Sequence, residues 1–154
     1  MNHEIGNGRP RRRLFFGLVC AAAFSWAGAS VAGGQSAATT WDGVYSEAQA
    51  KQGETVFSGF CAECHGADLT GREQAPALAG LGFTDKWNKA TVRKLLEQVE
   101  QMPPDQPKTL TPQQYVDVVA YLLSANDFPA GTTALPVDRP TLGHIEIRNV
   151  RPPK

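Results

Sequence analysis

The clearest pattern of apolar positions lies in the second half of the chain, where it has the period of an α-helix. Residues 111–114 read Thr-Pro-Gln-Gln, an arrangement that caps a helix N-terminus and places proline in its first turn. The apolar face that follows consists of Tyr115, Val118, Val119, Leu122 and Leu123. The pattern predicts a helix that begins after Thr111 and ends before Pro129.

Two further segments show the same period. In residues 91–101 a single apolar face, which Met102 continues, is formed by Val92, Leu95, Leu96 and Val99. Residues 43–60 predict an earlier helix with Gly53 near its centre. Because glycine there costs about 1 kcal/mol relative to alanine, we expect another helix to approach closely at this position. Residues 43–127 contain no convincing strand alternation, and the predicted fold class is all-α.

The N-terminal segment has the organisation of an export signal. A basic stretch ending at Arg13 precedes an apolar run over residues 14–29, and the small residues Ser30 and Ala32 follow. This pattern predicts a cleaved signal peptide over residues 1–32, and therefore export to a bacterial periplasm. The alternative is a retained membrane anchor, for which the run is about long enough. Its second half, rich in Ala, Gly and Ser, favours cleavage.

The rest of the chain divides into three parts. Residues 33–42 form a short linker, residues 43–127 carry the helical pattern, and residues 128–154 form a proline-rich C-terminal extension. From residue 33 onward there are 11 Lys and Arg residues against 14 Asp and Glu residues, a net charge of −3. This charge gives no electrostatic reason to expect nucleic-acid binding. We also expect no stable membrane span after signal removal.

Two of the three cysteines belong to one short motif, Cys61-Ala62-Glu63-Cys64-His65. Cys-x-x-Cys-His is the attachment motif of c-type haem. Two thiols on about one turn of chain can each add to a vinyl group on one porphyrin edge, and the adjacent histidine then faces the iron. Neutral imidazole is a good iron ligand whose other nitrogen is oriented by a hydrogen-bond acceptor. The motif predicts one covalently bound haem c.

The cysteine pair has three other possible interpretations. Cys61 and Cys64 can form a structural disulfide in an oxidising compartment. A thioredoxin-like redox pair is a second possibility, but that motif belongs after a strand in a βαβ pattern, which is not evident here. A zinc site needs about four ligands, and the other histidines, His3 and His144, are badly placed to complete one.

A second axial ligand to the iron is expected in an electron carrier, and Met102 is the only methionine apart from Met1. It is followed by Pro103 and Pro104, which end the preceding helix and stiffen the loop. A methionine ligand raises the reduction potential relative to a second histidine. The alternatives are that Met102 fills a gap in the core or that His144, in the proline-rich extension, is the ligand.

Together these features resemble the class I monohaem cytochromes c, over residues 43–126. Residues 76–80, Pro-Ala-Leu-Ala-Gly, resemble the family's Pro-x-Leu-x-Gly loop, whose proline carbonyl accepts a hydrogen bond from the proximal imidazole. The resemblance implies this bond between His65 and Pro76, with Met102 at the family's usual ligand position. It also implies the class I cytochrome c fold, in which helices wrap around one covalently attached haem.

The resemblance further implies how two helices cross. In the family a glycine and an aromatic residue of the first helix meet an aromatic residue of the last, and the corresponding residues are Gly53, Phe57 and Tyr121. Trp87 is expected to pack on the haem, with a hydrogen bond to a propionate as the alternative. The extension departs from the family pattern, since many relatives end at the last helix. We expect it to lie on the domain surface, the alternative being a docking arm.

The function implied is that of an electron carrier, not an enzyme. Cys61 and Cys64 are assigned to haem attachment, and His65 and Met102 to the iron. The expected partners are redox proteins, such as a periplasmic dehydrogenase and an oxidase or another cytochrome. One alternative is a haem peroxidase or ligand-binding haem protein, which needs an open sixth position. Another is a haem-free thiol–disulfide protein.

Overall fold

The computed structural model describes residues 38–73, 75–151 and 153. Their helices are α1 (Glu47–Phe60), α2 (Ala62–His65), α3 (Leu81–Trp87), α4 (Val92–Val99), α5 (Pro112–Ala125) and α6 (Arg139–Gly143). A two-stranded parallel sheet pairs β1 (Ala38–Thr39) with β2 (Ile145–Glu146), and a short 3-10 helix, Thr40–Asp42, follows β1. The fold is therefore helical with one small sheet that joins the two ends of the described chain.

The long helices begin where side-chain caps satisfy their free backbone N–H groups. The Ser46 side chain caps α1, and the Thr91 side chain caps α4. Thr111 and Gln114 form a reciprocal capping box at the start of α5, as the sequence predicted. Each such cap is worth about 1 kcal/mol, so local sequence defines these helix starts.

Helix boundaries differ from the prediction in two places. α1 begins at Glu47 instead of residue 43, because Gly43 has a positive φ of 68° and Ser46 is the N-cap. α4 ends at Val99, two residues before the predicted end. The short helices α2, α3 and α6 carried no pattern long enough to be recognised from the sequence.

Helices α1 and α5 cross in close contact at Gly53. A Cβ atom on Gly53 would lie 1.8 Å from the Asp117 carbonyl oxygen, a distance that no side chain can occupy. One turn further along α1, the Phe57 ring packs against Tyr121 with 5.3 Å between ring centroids. The crossing that the family resemblance implied is confirmed, and it explains the glycine in the middle of a helix.

The C-terminal extension is part of the core, which differs from the expected surface coil. Its apolar residues are buried, with Leu142 and Ile147 0% exposed and Leu135 2% exposed. The backbone of Ile147 exchanges hydrogen bonds with Lys89 and Ala90, both of 2.8 Å, so the extension pairs with the loop before α4. The spacing of these apolar residues was too irregular to predict burial from sequence alone.

The linker also packs on the extension. Trp41 donates a hydrogen bond of 2.8 Å from Nε1 to the Arg148 carbonyl oxygen, and its ring meets Phe128 edge-on. Together with the pairing of β1 and β2, these contacts bring the N-terminal part of the described chain against its C-terminal part. The predicted signal peptide, Cys20 and residues 33–37 of the linker lie outside the described residues.

Within the described residues, no helix combines the length and the apolar character that a bilayer crossing requires.

Replacing Gly53 with Ala is expected to lower the free energy of unfolding by about 1–3 kcal/mol, because the methyl group forces α1 and α5 apart. The control is Gly59→Ala in the same helix, where a Cβ atom would meet no atom within 4 Å. That change should be neutral or stabilise by roughly 0.5–1 kcal/mol. Urea unfolding of the mature protein measures both, and equal effects would contradict the close crossing.

Replacing Leu142 with Ala is expected to destabilise the protein by about 2–5 kcal/mol, since a fully buried leucine leaves a cavity. Val150, also in the extension, is 71% exposed, so Val150→Ala should change stability by less than about 0.5 kcal/mol. Thermal unfolding of both variants tests whether the extension belongs to the core. A negligible effect of Leu142→Ala would show that it does not.

Candidate functional site

One cavity of about 410 Å³ lies between the helices, within the size range of cofactor pockets. Its walls are mainly apolar, and α5 contributes Val118 and Leu122. The other large apolar and aromatic wall residues include Phe57, Phe60, Leu78, Phe83, Trp87, Leu95 and Val99. A cavity with such walls excludes water from a flat apolar ligand and leaves specificity to its few polar groups.

All five residues assigned from the sequence line this cavity: Cys61, Cys64, His65, Pro76 and Met102. The cysteines and the histidine are brought in by α1, which leads directly into the motif, and by the single turn of α2. The methionine follows α4, and is therefore brought to the same cavity by tertiary packing. Their roles towards a haem stay a prediction, but their convergence on one cavity is a property of the fold.

The His65 ring is oriented by a backbone carbonyl. Its Nδ1 lies 2.9 Å from the Pro76 carbonyl oxygen. A carbonyl oxygen only accepts hydrogen bonds, so this contact places the proton on Nδ1 and leaves Nε2 available as a ligand atom. The contact is the one implied by the resemblance to class I cytochromes c. It holds the imidazole in one tautomer and one orientation, as metal-binding histidines require.

Cys61 and Cys64 are both free thiols. Burial, with a smaller contribution from the neighbouring Cys64, raises the pKa of the Cys61 thiol to about 11. Redox-active Cys-x-x-Cys pairs depend on a lowered pKa, since the thiolate is the nucleophile. The motif also follows a helix instead of a strand. Both observations argue against a thioredoxin-like pair.

The zinc interpretation also lacks support. Among the described residues, no group of three or more His, Cys, Asp or Glu side chains is arranged to hold a metal ion. His144 lies at the C-terminal end of α6, exposed, and does not line the cavity. This position separates it from His65 and leaves Met102 as the second candidate axial ligand.

The Met102 loop is tied to its surroundings at Glu100. The Glu100 carbonyl oxygen accepts a hydrogen bond of 3.1 Å from the Lys108 amide, which closes the loop around the prolines. The Glu100 carboxylate accepts hydrogen bonds of 2.6 and 2.8 Å from Arg139 Nη2. The end of α4 is therefore held from two sides, just before the methionine.

Two aromatic residues of α3 form part of the cavity wall, and only one of them was expected from the sequence. Trp87 lines the cavity, with its ring centroid 6.3 Å from that of Phe83. Its position suits packing on a flat ligand, the interpretation preferred from the sequence. Phe83 was missed, because α3 has only seven residues and shows no clear period.

The comparison with protein families finds a match for the central part of the chain. The family described as cytochrome c oxidase, cbb3-type, subunit III matches residues 48–122. This segment contains the Cys61-to-His65 motif, Pro76 and Met102, and ends within α5. The chain therefore contains a c-type cytochrome domain, as its resemblance to cytochromes c predicted. No curated protein and no solved structure matches the chain.

A c-type cytochrome domain implies haem c, and the cavity suits it. The donors are one imidazole and one thioether, both of which bind haem iron. The two thiols belong to the Cys-x-x-Cys-His motif, and the remaining walls are apolar. These residues fit a haem held by Cys61 and Cys64, with His65 and Met102 facing the iron.

Proposed function

We propose that this protein is a periplasmic electron-transfer protein with one covalently attached haem c. His65 and Met102 are the axial ligands, and Cys61 and Cys64 form the thioether bonds. The haem, when bound, supplies an iron that cycles between the ferrous and ferric states. The observation that carries the proposal is the convergence of the Cys-x-x-Cys-His motif, Pro76 and Met102 on one apolar cavity.

The protein's own residues keep the iron environment constant during electron transfer. The Pro76 carbonyl fixes the proton on His65 Nδ1 and so keeps Nε2 as a ligand atom in both oxidation states. The apolar walls exclude water, and a site without water favours the oxidation state that carries the lower net charge. Because neither ligand needs to move, electron transfer requires little rearrangement.

The partners that we propose are redox proteins, with electrons passing from a dehydrogenase to a terminal acceptor. The name of the matching family refers to an oxidase subunit, which supports an oxidase as one such acceptor. The signal peptide predicted over residues 1–32 supports a location in the periplasm. The motif side of the cavity carries exposed groups, Phe60 at 56% exposure and Cys64, so it is where a partner can approach the haem edge.

An absorption spectrum of the protein matured with haem-attachment machinery tests the proposal directly. We expect sharp reduced bands of c-type haem and, in the ferric state, the weak long-wavelength band of a methionine–iron bond. Haem without that band, together with rapid binding of cyanide or carbon monoxide, would favour the rival peroxidase or ligand-binding haem protein. Absence of haem would favour a thiol–disulfide protein.

Replacing both Cys61 and Cys64 with Ser is expected to abolish covalent haem attachment, because serine forms no thioether bond. The measurement is haem staining of the denatured protein after electrophoresis, where only covalent haem is retained. The single variants should each reduce the yield of haem-loaded protein. Covalent haem in the double variant would contradict the assignment of these cysteines.

Replacing Met102 with Ala is expected to keep the covalent haem, remove the long-wavelength band and lower the reduction potential, since a methionine ligand raises it. The variant should also bind cyanide faster, because the sixth position opens. The control is His144→Ala, which removes the other candidate ligand and should leave spectrum and potential unchanged. An unchanged potential in Met102→Ala would exclude Met102 as the ligand.

A further inference from the structure

A buried amide outside the cavity holds the loop that orients His65. Asn126 follows the last turn of α5 and is 8% exposed. Its Nδ2 donates hydrogen bonds to the carbonyl oxygens of Leu78, at 2.9 Å, and Leu122, at 2.8 Å. Its Oδ1 accepts a hydrogen bond of 3.0 Å from the Gly80 amide. One side chain thus joins α5 to two points of the loop.

The three partners leave only one way to place the amide. Two of them are carbonyl oxygens, which require the NH₂ group, and the third is an N–H group, which requires the oxygen. Aspartate has the same shape but would present oxygen to both carbonyls. Asparagine is therefore the side chain of this size that satisfies all three groups. A residue that only filled space would not need both a donor and an acceptor here.

The loop in question, residues 76–80, begins at the carbonyl that accepts from His65 Nδ1. The loop is also held by a hydrogen bond of 2.8 Å from the Leu78 amide to the Leu69 carbonyl oxygen. At its end, the Gly80 carbonyl oxygen accepts hydrogen bonds of 3.1 Å from the Phe83 and Thr84 amides of α3.

The Pro76 side chain is exposed, and the backbone before it is held by hydrogen bonds of 3.0 and 2.7 Å between Arg72 and Ala75. On its other side, the Pro76 carbonyl is held through the bonds that Leu78 and Gly80 make two and four residues later.

We propose that Asn126 is a positioning residue for the proximal histidine: it fixes the loop 76–80 and thereby the strength of the hydrogen bond between His65 and Pro76. This inference rests on the proposed haem ligation by His65. A strong bond to Nδ1 raises the basicity of the imidazole. Better electron donation favours ferric iron, so loss of the Asn126 contacts raises the reduction potential. That direction is opposite to the one expected for Met102→Ala.

A matched control exists on the other side of the domain. Gln49 is also a buried amide, 4% exposed, and it also fixes a loop, through bonds of 3.0 and 2.7 Å with the Leu135 backbone. Neither Gln49 nor Leu135 lines the cavity. Gln49→Ala therefore removes a comparable buried interaction, with a comparable loss of stability, without touching the proximal loop.

The experiment compares haem-loaded wild type with Asn126→Ala, Asn126→Asp and Gln49→Ala. NMR of the reduced protein measures solvent exchange of the His65 Nδ1 proton, and voltammetry measures the reduction potential.

We expect both Asn126 variants to speed exchange of this proton about tenfold, the effect of losing roughly one net hydrogen bond. Both should also raise the potential while keeping the methionine–iron band. Gln49→Ala should change neither the exchange rate of the His65 proton nor the reduction potential. Equal changes in the Asn126 and Gln49 variants, or wild-type behaviour of Asn126→Asp, would overturn the proposal.

A measurement on the wild type decides the question if the Asn126 variants do not fold. The His65 Nδ1 proton, the Gly80 amide and the Asn126 side-chain amide should exchange through one shared opening, with one free energy and one dependence on denaturant. Exchange of the His65 proton through a smaller opening that leaves Gly80 protected would contradict the inference. Wild type that binds no haem would instead refute the proposed function, so the two failures are distinguishable.

Discussion

The contact between α1 and α5 at Gly53 sets the distance between the helix that leads into the attachment motif and a helix that lines the cavity. Because Gly53 has no side chain, the backbone of α1 reaches the Asp117 carbonyl of α5, and the two helices pack in close contact. α1 then leads directly into Cys61, while α5 lines the cavity with Val118 and Leu122 and ends at the buried amide that holds the proximal loop. One close crossing thus places the attachment motif and the cavity wall together.

The two candidate ligands are held by different kinds of interaction. His65 is oriented through a hydrogen bond to a backbone carbonyl, whose loop is in turn held by hydrogen bonds to the buried side chain of Asn126. Met102 follows a helix end that is held by an ion pair with Arg139, about half exposed, and by the closure of its own loop. Hydrogen bonds through the buried Asn126 amide thus hold the histidine side of the site, while an ion pair and loop closure hold the methionine side.

The C-terminal extension shows how a short helical domain enlarges its core. Leu135, Leu142 and Ile147 become buried only because the extension returns to α4 and pairs with β1 near the start of the described chain. Small domains bury a limited share of their apolar surface, and this segment adds to it. It also supplies Arg139, so the same segment contributes to the core and holds the end of α4.

Local features of the sequence were enough to predict the long helices and to name five residues that line the cavity. The capping box at Thr111, the Cys-x-x-Cys-His motif and the proline pair after Met102 act within a few residues, where propensity and spacing are informative. Only the tertiary structure revealed that the extension is buried, that Phe83 lines the cavity and that Asn126 holds the proximal loop. Each of these depends on residues far apart in the chain, up to 107 positions for the hydrogen bond between Trp41 and Arg148. Such contacts follow from packing and leave no periodic pattern in the sequence.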